Sequence, residues 1–498
     1  MKLIFEKKSQ NRGEHVPNPD SNFRLEQALP AWCVRKKGAS LPEVGELDVV
    51  RHFTKASQRN FCVDTNFYPL GSCTMKYNPK VNDQVTAWPF YARIHPYQPE
   101  PQVQGILQII QSLEDYLCQI LGMDAFSLQP AAGAQGEFAG LLIAKAYHEE
   151  RKNNRTKVLI PDSAHGTNPA SAALCGYEVI QVKTDAKGRV DIADLKEKAN
   201  NEVACLMMTN PNTLGLFETN IKQISQIIHD CGGLVYYDGA NMNALLGIAR
   251  PGDMGFDIVH VNLHKTFAVP HGSGGPGSGP VGVKKELEKY LPFPRIQKKG
   301  SELAWDFNRP HSIGRLRSFY GNVGAYLRSY CYIQALGKQG LRDVSEHAVL
   351  NANYLKAKLK HIYHVPHEGY CMHEFVASAV NQKKLGVKGL DIAKRLLDYG
   401  IHAPTVYFPL IVEEALMIEP TETEPKEMLD HFIQVMNQID QECRQNPEVV
   451  LNAPSKTPIR RIDEVQAARK PNLRWSPDQE SQPNYNDSRL TTTNTCCA

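Results

Sequence analysis

Residues 233–267 read GLVYYDGANMNALLGIARPGDMGFDIVHVNLHKTF. Two apolar runs, GLVYYDG at 233–239 and DIVHVNL at 257–263, are too short for helices and rich in aromatic and β-branched residues, as buried strands are. Each ends beside a side chain able to do chemistry, Asp238 in one case and Lys265 in the other. Working outward, KVLIP (157–161), YEVIQVKT (177–184) and ACLMMTN (204–210) have the same character. Between these runs lie the helical stretches NPASAALCG, IADLKEKAN and IKQISQIIHDCG. Strands alternating with helices predict an α/β fold with a largely parallel sheet covered on both faces. In such a sheet, ligand chemistry collects beyond the C-terminal strand ends.

Two helices precede this region: VQGILQIIQSLEDYLCQIL (103–121), stopped by Gly122, and GAQGEFAGLLIAKAYHEERK, starting near Gly133. The long helical stretch from Ala325 to Lys360 leads into a smaller α+β unit: strand HEFVASAV, helix DIAKRLLDYG, strand ALMIEPT and helix KEMLDHFIQVMNQIDQECR. Four regions are therefore expected. Residues 1–100 form an extended arm, aromatic but without sustained periodicity, lying on the body or on a partner subunit. Residues 101–325 form the large domain and 326–455 the small one. Residues 456–498 form a basic segment and a disordered tail.

The chain has 498 residues, 42% of them apolar and 22% charged, and a net charge of +3. So small an imbalance argues against nucleic-acid binding. No stretch approaches the roughly 18 apolar residues of a membrane span. The N-terminal apolar run, Leu3–Phe5, is too short for a secretory leader. Twelve scattered cysteines with no CxxC pair read as reduced thiols, and a cytoplasmic protein is expected.

Lys265 follows a strand and precedes a loop dense in Gly and Pro, a place where a desolvated amine can form a Schiff base with an aldehyde cofactor. Asp238 reads either as a helix cap or as the partner of a protonated ring nitrogen, the role a carboxylate plays opposite pyridoxal 5'-phosphate (PLP). Gly133, Ala134, Gln135 and Gly136 open a helix, either an ordinary start or one whose free N–H groups take a phosphate. His165, just past KVLIP, reads as a loop histidine or as an imidazole stacked on a planar ring. Two patterns are set aside. GSGGPG (272–277) matches a dinucleotide fingerprint but leads through Pro276 and Pro280 into the strand-like GPVGV, not into a helix. HIYHVPH (361–367) is interrupted by Pro366, and no metal site is expected.

The blocks NFYPLGSCTMKYNPK (66–80), LQPAAGAQGE (128–137), AHGTNPASA (164–172), TNPNTLGLFE (209–218), YDGANMNA (237–244) and the NLHKTF…PHGSGGPGSGPVGV run (262–283) carry a further signal. With them, the sequence resembles glycine dehydrogenase (decarboxylating) subunit 2, the P-protein β subunit of the glycine cleavage system. The resemblance extends through RRIDEVQAARKPNLRW (460–475). It implies the aspartate-aminotransferase-like, fold type I architecture of PLP-dependent enzymes. It implies that Lys265 holds PLP, that Asp238 faces the pyridinium and His165 the ring, and that Ala134 and Gln135 form the phosphate turn with Thr213 and His264. Lys265 and His165 are the implied catalytic residues. Glycine is the implied substrate, losing CO2 and passing its aminomethyl group to the lipoyl arm of the H-protein. A separate α subunit, in an α2β2 heterotetramer, is the implied partner. The competing readings are an aminotransferase of the same fold, with Arg315 or Arg317 clamping a carboxylate, and a non-catalytic scaffold subunit.

Overall fold

The structure is a computed structural model that describes residues 1–7, 28–37, 41–42, 44–272, 274–471 and 473. The greater part of the expected tail lies outside the described residues. The chain divides into two compact units at Cys62/Val63, inside the stretch expected as an arm. The first unit contains a helical turn at Ile4–Glu6 and helix α1 (Glu46–Ser57).

In the second unit, residues 63–100 are mostly irregular and include helix α2 (Lys80–Thr86). Helix α3 (Gln104–Leu121) follows, burying Ile106, Ile110, Leu113, Leu117 and Leu121, and ends at Gly122 as its sequence predicts. The large sheet is assembled next. Its strands are β1 (Ala125–Ser127), β2 (Lys157–Pro161), β3 (Glu178–Val182), β4 (Val203–Met208), β5 (Leu234–Gly239), β6 (Ile258–Val261) and β7 (Val281–Val283). The order across the sheet is β1-β7-β6-β5-β4-β2-β3. Only β7 runs against the rest, paired antiparallel to β1 and β6. Helices α4 (Gly133–Glu150), α5 (Thr167–Leu174), α6 (Ile192–Lys198) and α7 (Ile221–Asp230) supply the crossovers. Every residue of β4 and β5 is buried, which accounts for their unbroken apolar runs.

Past β7 comes an antiparallel hairpin, β8 (Arg295–Lys299) with β9 (Glu302–Asp306), and then helix α8 (Val323–Leu359), which breaks at Gly337. A three-stranded antiparallel sheet, ordered β10-β12-β11, completes the unit. Its strands are β10 (Phe375–Ser378), β11 (Thr405–Val406) and β12 (Ala415–Ile418). Helices α9 (Gly389–Asp398) and α10 (Lys426–Gln445) cover it, with Leu396, Phe432, Met436 and Ile439 in a common core with Phe375 and Ile418. Leu70 forms a β-bridge with Ile418, and the Gly71 N–H donates to the Met417 carbonyl at 3.2 Å.

One helix–sheet contact sets the geometry of everything that follows. Helix α4 crosses the face of the sheet that carries Tyr236 and His260. A Cβ at Gly140 would lie 2.3 Å from the Tyr236 ring, and one at Gly136 would lie 2.7 Å from the Gly279 carbonyl and 3.0 Å from the His260 Cβ. The two glycines let the helix approach closely enough to aim its first turn over the ends of β5 and β6. Gly140→Ala is expected to lower stability by about 1–3 kcal/mol through overpacking. Gly105→Ala, where an added Cβ meets nothing within 4 Å, should lower it not at all. Urea unfolding midpoints of the two variants check the contrast.

Candidate active site

The parallel strands deliver their loops to one side of the sheet. Asp238 closes β5, Lys265 lies just beyond β6, His165 just beyond β2, Thr213 beyond β4, and Ala134 in the first turn of α4. All five line one cavity of about 140 Å³. Glu137, Thr167, Thr209, Asn241 and Asn262 line it from the same side. Ser72 joins them from the irregular N-terminal stretch, and His373 and Glu374 from the entry to β10. The sheet register explains the pairing at its centre. Strands β5 and β6 are parallel neighbours with Asp238 opposite His260, so Asp238 and Lys265 reach the cavity from adjacent strands.

Asp238 is 3% exposed. It accepts from the Asn168 amide at 3.0 Å and from the Ala240 N–H at 3.1 Å, and His260 Nε2 stands 3.5 Å from its Oδ1. Burial works to raise its pKa; the His260 ring, the Asn168 amide, His165 and the Ala240 N–H together outweigh burial and hold it below the ordinary carboxylate value. Burial lowers His260 to about 4, so the ring is neutral at pH 7. The Tyr236 hydroxyl meets its other nitrogen, Nδ1, fixing the ring from behind.

His165 is likewise lowered by burial, with its Nδ1 2.8 Å from the Thr167 hydroxyl. That hydroxyl donates to Glu137 Oε1 at 2.8 Å, and Ser171 donates to the other oxygen of Glu137. Burial and then the nearby Asp238 charge raise Glu137 to about 7. Lys265 Nζ has no hydrogen-bond or ion-pair partner among the described residues. The residue after it is clamped: buried Lys76 donates to the Thr266 carbonyl at 2.6 Å, to Tyr332 at 3.0 Å and to Glu422 at 2.7 Å. For Lys76, burial opposes the charge, but Glu422 prevails and pushes the amine up to about 12.

Two of the seven residues singled out from sequence stand apart from the cavity wall. Gln135 turns its side chain to the Ala131 N–H and the Leu316 carbonyl. His264 accepts from the Ser278 N–H at 3.3 Å and sits 5.3 Å from the His271 ring, with burial lowering it to about 3. Thr213 lines the cavity, yet its hydroxyl donates to the Ser163 carbonyl. Arg315 packs over Phe293 and Phe307, and no arginine is among the residues lining the cavity. Sequence reasoning passed over Ser72, Glu137, Asn262, His373 and Glu374. A glutamate set among the small and apolar residues Gly133, Gly136, Ala139, Gly140 and Leu141 of the buried helix face was the available signal for Glu137.

PLP would need three things of this cavity, and the residues present fit each. An ionised, buried carboxylate is there for a ring nitrogen, and an unpartnered lysine amine for an aldehyde. The start of α4 has no side-chain cap and is free for a phosphate. In addition, Asn262 Oδ1 and Thr209 Oγ1 are buried at the cavity without a partner of their own.

Fold and site together define a fold type I PLP-dependent enzyme. Residues 19–297 match the family model described as glycine cleavage system P-protein, and residues 344–458 match that of the glycine dehydrogenase C-terminal domain. The chain is 56% identical over 477 residues to a probable glycine dehydrogenase (decarboxylating) subunit 2 of Caldanaerobacter subterraneus subsp. tengcongensis, covering 95% of this chain and 98% of that protein. It is 58% identical over 476 residues to a protein of the same name from Halalkalibacterium halodurans, again covering 95% and 98%. Among solved structures, an inhibitor-bound glycine decarboxylase (P-protein) of the glycine cleavage system superposes with a TM-score of 0.71 at 20% identity, over 84% of this chain and 95% of that one. A Lactobacillus brevis glutamate decarboxylase gives 0.65 at 12%, over 84% and 96%. The chain belongs to the glycine dehydrogenase (decarboxylating) subunit 2 family. No helix among its described residues is long and apolar enough to cross a membrane.

The raised pKa of Glu137 has a consequence for stability. A carboxyl raised from 4.5 to about 7 on folding stabilises the cofactor-free protein fully below the unfolded pKa, and that contribution disappears as pH rises through about 7. The stability of the wild type relative to Glu137→Gln is therefore expected to fall, on the order of 1–3 kcal/mol, between about pH 4 and about pH 8. Paired urea titrations at the two pH values measure it.

Proposed function

We propose that this chain uses PLP to decarboxylate glycine and to pass the remaining aminomethyl group to the lipoyl arm of an H-protein, in the cytoplasm, together with a separate α subunit in an α2β2 assembly. The observation that carries the reading is the convergence of Asp238 and Lys265 from adjacent strands on one cavity. In this reading residues 101–325 are the cofactor-binding domain and 326–455 the smaller domain.

PLP, when bound, supplies an electron sink for the electron pair left behind as CO2 departs. The chain's own residues do the rest. Lys265, whose amine has no partner of its own among the described residues, would hold the aldehyde. Asp238, kept ionised, holds a negative charge for the ring nitrogen, and His260 and Asn168 keep its oxygens aimed. His165 covers the ring from the β2 side. Ala134 and the backbone of the first α4 turn hold the phosphate, Gln135 through its N–H since its side chain is committed elsewhere. Thr213 and His264 support that end of the cavity. The aminotransferase reading is not favoured, because an aminotransferase holds its substrate's carboxylate through the whole reaction, usually with an arginine. A scaffold role would leave the Asp238–Lys265 pair without a purpose.

The purified enzyme is expected to show near-visible cofactor absorbance, fixed to the chain by borohydride, and glycine-dependent exchange of CO2 with bicarbonate. Lys265→Ala should lose covalent fixation and lower exchange by on the order of a thousandfold or more. A Lys265→Ala protein that still traps cofactor under borohydride, or a wild type that transaminates 2-oxo acids instead, would overturn the reading.

A further inference from the structure

At the wall of the cavity formed by the small sheet, two glutamates are buried together, Glu374 at the entry to β10 and Glu419 just past β12. They are unequally served. Glu419 accepts three hydrogen bonds: from the Thr74 N–H at 3.0 Å, the Thr74 hydroxyl at 2.8 Å and the Asn241 amide at 2.7 Å. Glu374 accepts one, from the Ser72 N–H to Oε2 at 2.8 Å. Its Oε1 faces only His373 Nε2, at 3.8 Å, and both nitrogens of that buried imidazole are unpartnered. Glu374, His373 and Ser72 line the cavity; Glu419 does not.

Two carboxylates so close in a dry setting do not both ionise, and the charge settles on the better-solvated one. We propose that Glu374 carries the proton of this pair and donates it as a hydrogen bond to the carboxylate of glycine, so that a neutral acid stands where an arginine clamp would otherwise be. The direction of its pKa agrees: burial and then the Glu419 charge raise it well above the ordinary value. His373 is neutral as well, lowered by burial and by Lys265 to about 3. A carboxylate held by neutral donors in a desolvated pocket is less stabilised than one paired with a guanidinium, and the difference favours its departure as CO2. The inference rests on the functional reading above.

Two measurements test it. In infrared difference spectra of the cofactor-free protein, wild type minus Glu374→Gln, the carbonyl stretch of a protonated carboxyl is expected, shifting in D2O. In the holoenzyme, glycine affinity read from the cofactor absorbance should stay within about threefold in Glu374→Gln, which remains a neutral donor. It should weaken about tenfold or more in Glu374→Met, which is not a donor. Methylamine, lacking the carboxylate, should bind both variants alike. Wild-type glycine affinity should fall as rising pH ionises Glu374, whose charged or titratable neighbours are Glu419, His373, Lys265, Cys73 and Cys371; that of Glu374→Gln should not fall with it. If the Met variant fails to fold, the near-isosteric Gln variant still decides through the band and the pH profile.

Absence of the band from the cofactor-free protein, in a wild type whose holoenzyme binds glycine, would overturn the proposal and leave the functional reading standing. A band in place with no glycine binding by the wild type would remove the substrate, and with it the donor role. His373, Glu374 and Glu419 bring ligand atoms within 4.8 Å of one another, so a tight zinc site found by calorimetry and lost in Glu374→Gln would also overturn the proposal, since it requires an ionised Glu374.

Discussion

An ionised carboxylate at the end of a fully buried strand is the constraint on which the rest of the site depends. Desolvation alone would neutralise Asp238, so the structure must supply donors that water cannot. It supplies two, the Asn168 amide in α5 and the Ala240 N–H on the next residue but one, and sets the His260 ring of the adjacent strand 3.5 Å from the same carboxylate. The Tyr236 hydroxyl holds His260 from behind, and Tyr236 is the ring against which Gly140 of α4 packs. The charge on one side chain is thus linked to the distance between a helix and the sheet. Adding a methyl group at Gly140 disturbs more than packing: it presses on the column of side chains that keeps Asp238 oriented.

The same helix serves a second purpose through its direction. Its approach is set by Gly136 and Gly140, and its first turn, uncapped by any side chain, opens on the cavity beside Asn262. A negative group bound at the start of α4 and a positive one at Asp238 would match the polarity of the two ends of the cavity. A phosphate held at that helix start would need no basic side chain, and the lysine that enters the cavity has no partner among the described residues. Lys76 supports this indirectly, since its buried ion pair with Glu422 fixes the Thr266 carbonyl and so the backbone from which Lys265 projects.

Much of this was legible in the sequence, and the reasons are physical. Strands β2, β4, β5 and β6 are buried almost throughout, so their apolar runs stand out, and the helices between them carry 3.6-residue periodicity. The elements that escaped notice were short or polar: β1 and β11, of three and two residues, and the hairpin RIQKK/ELAWD, whose outward side chains mask its pattern. At the site, Asp238 and Lys265 could be singled out because each ends a strand in a buried setting. Ser72, His373 and Glu374 could not, because they reach the cavity from a stretch without periodicity and from a different sheet. No spacing along the chain records that meeting. Gln135 illustrates the converse: its position in the first helical turn was readable, but where its amide points depends on Leu316, nearly two hundred residues away.

The residues from the second sheet also change what the first can do. The large sheet contributes the charged elements of the cavity, Asp238 and Lys265. The small sheet contributes groups that are neutral where they face it, His373 by burial and Glu374 by burial and then by its neighbour Glu419. Burial raises Glu419 as well, but Asn241 and Thr74 pull it back with three hydrogen bonds against the single one to Glu374, and Asn241 follows Asp238 by only three residues. One loop therefore orients the carboxylate that must be charged and, through Glu419, holds neutral the one that must not be. A site divided in this way has an electron-withdrawing end and a weakly polar end. A carboxylate entering the weakly polar end finds donors without a counter-charge, the setting in which losing it as CO2 competes best with keeping it.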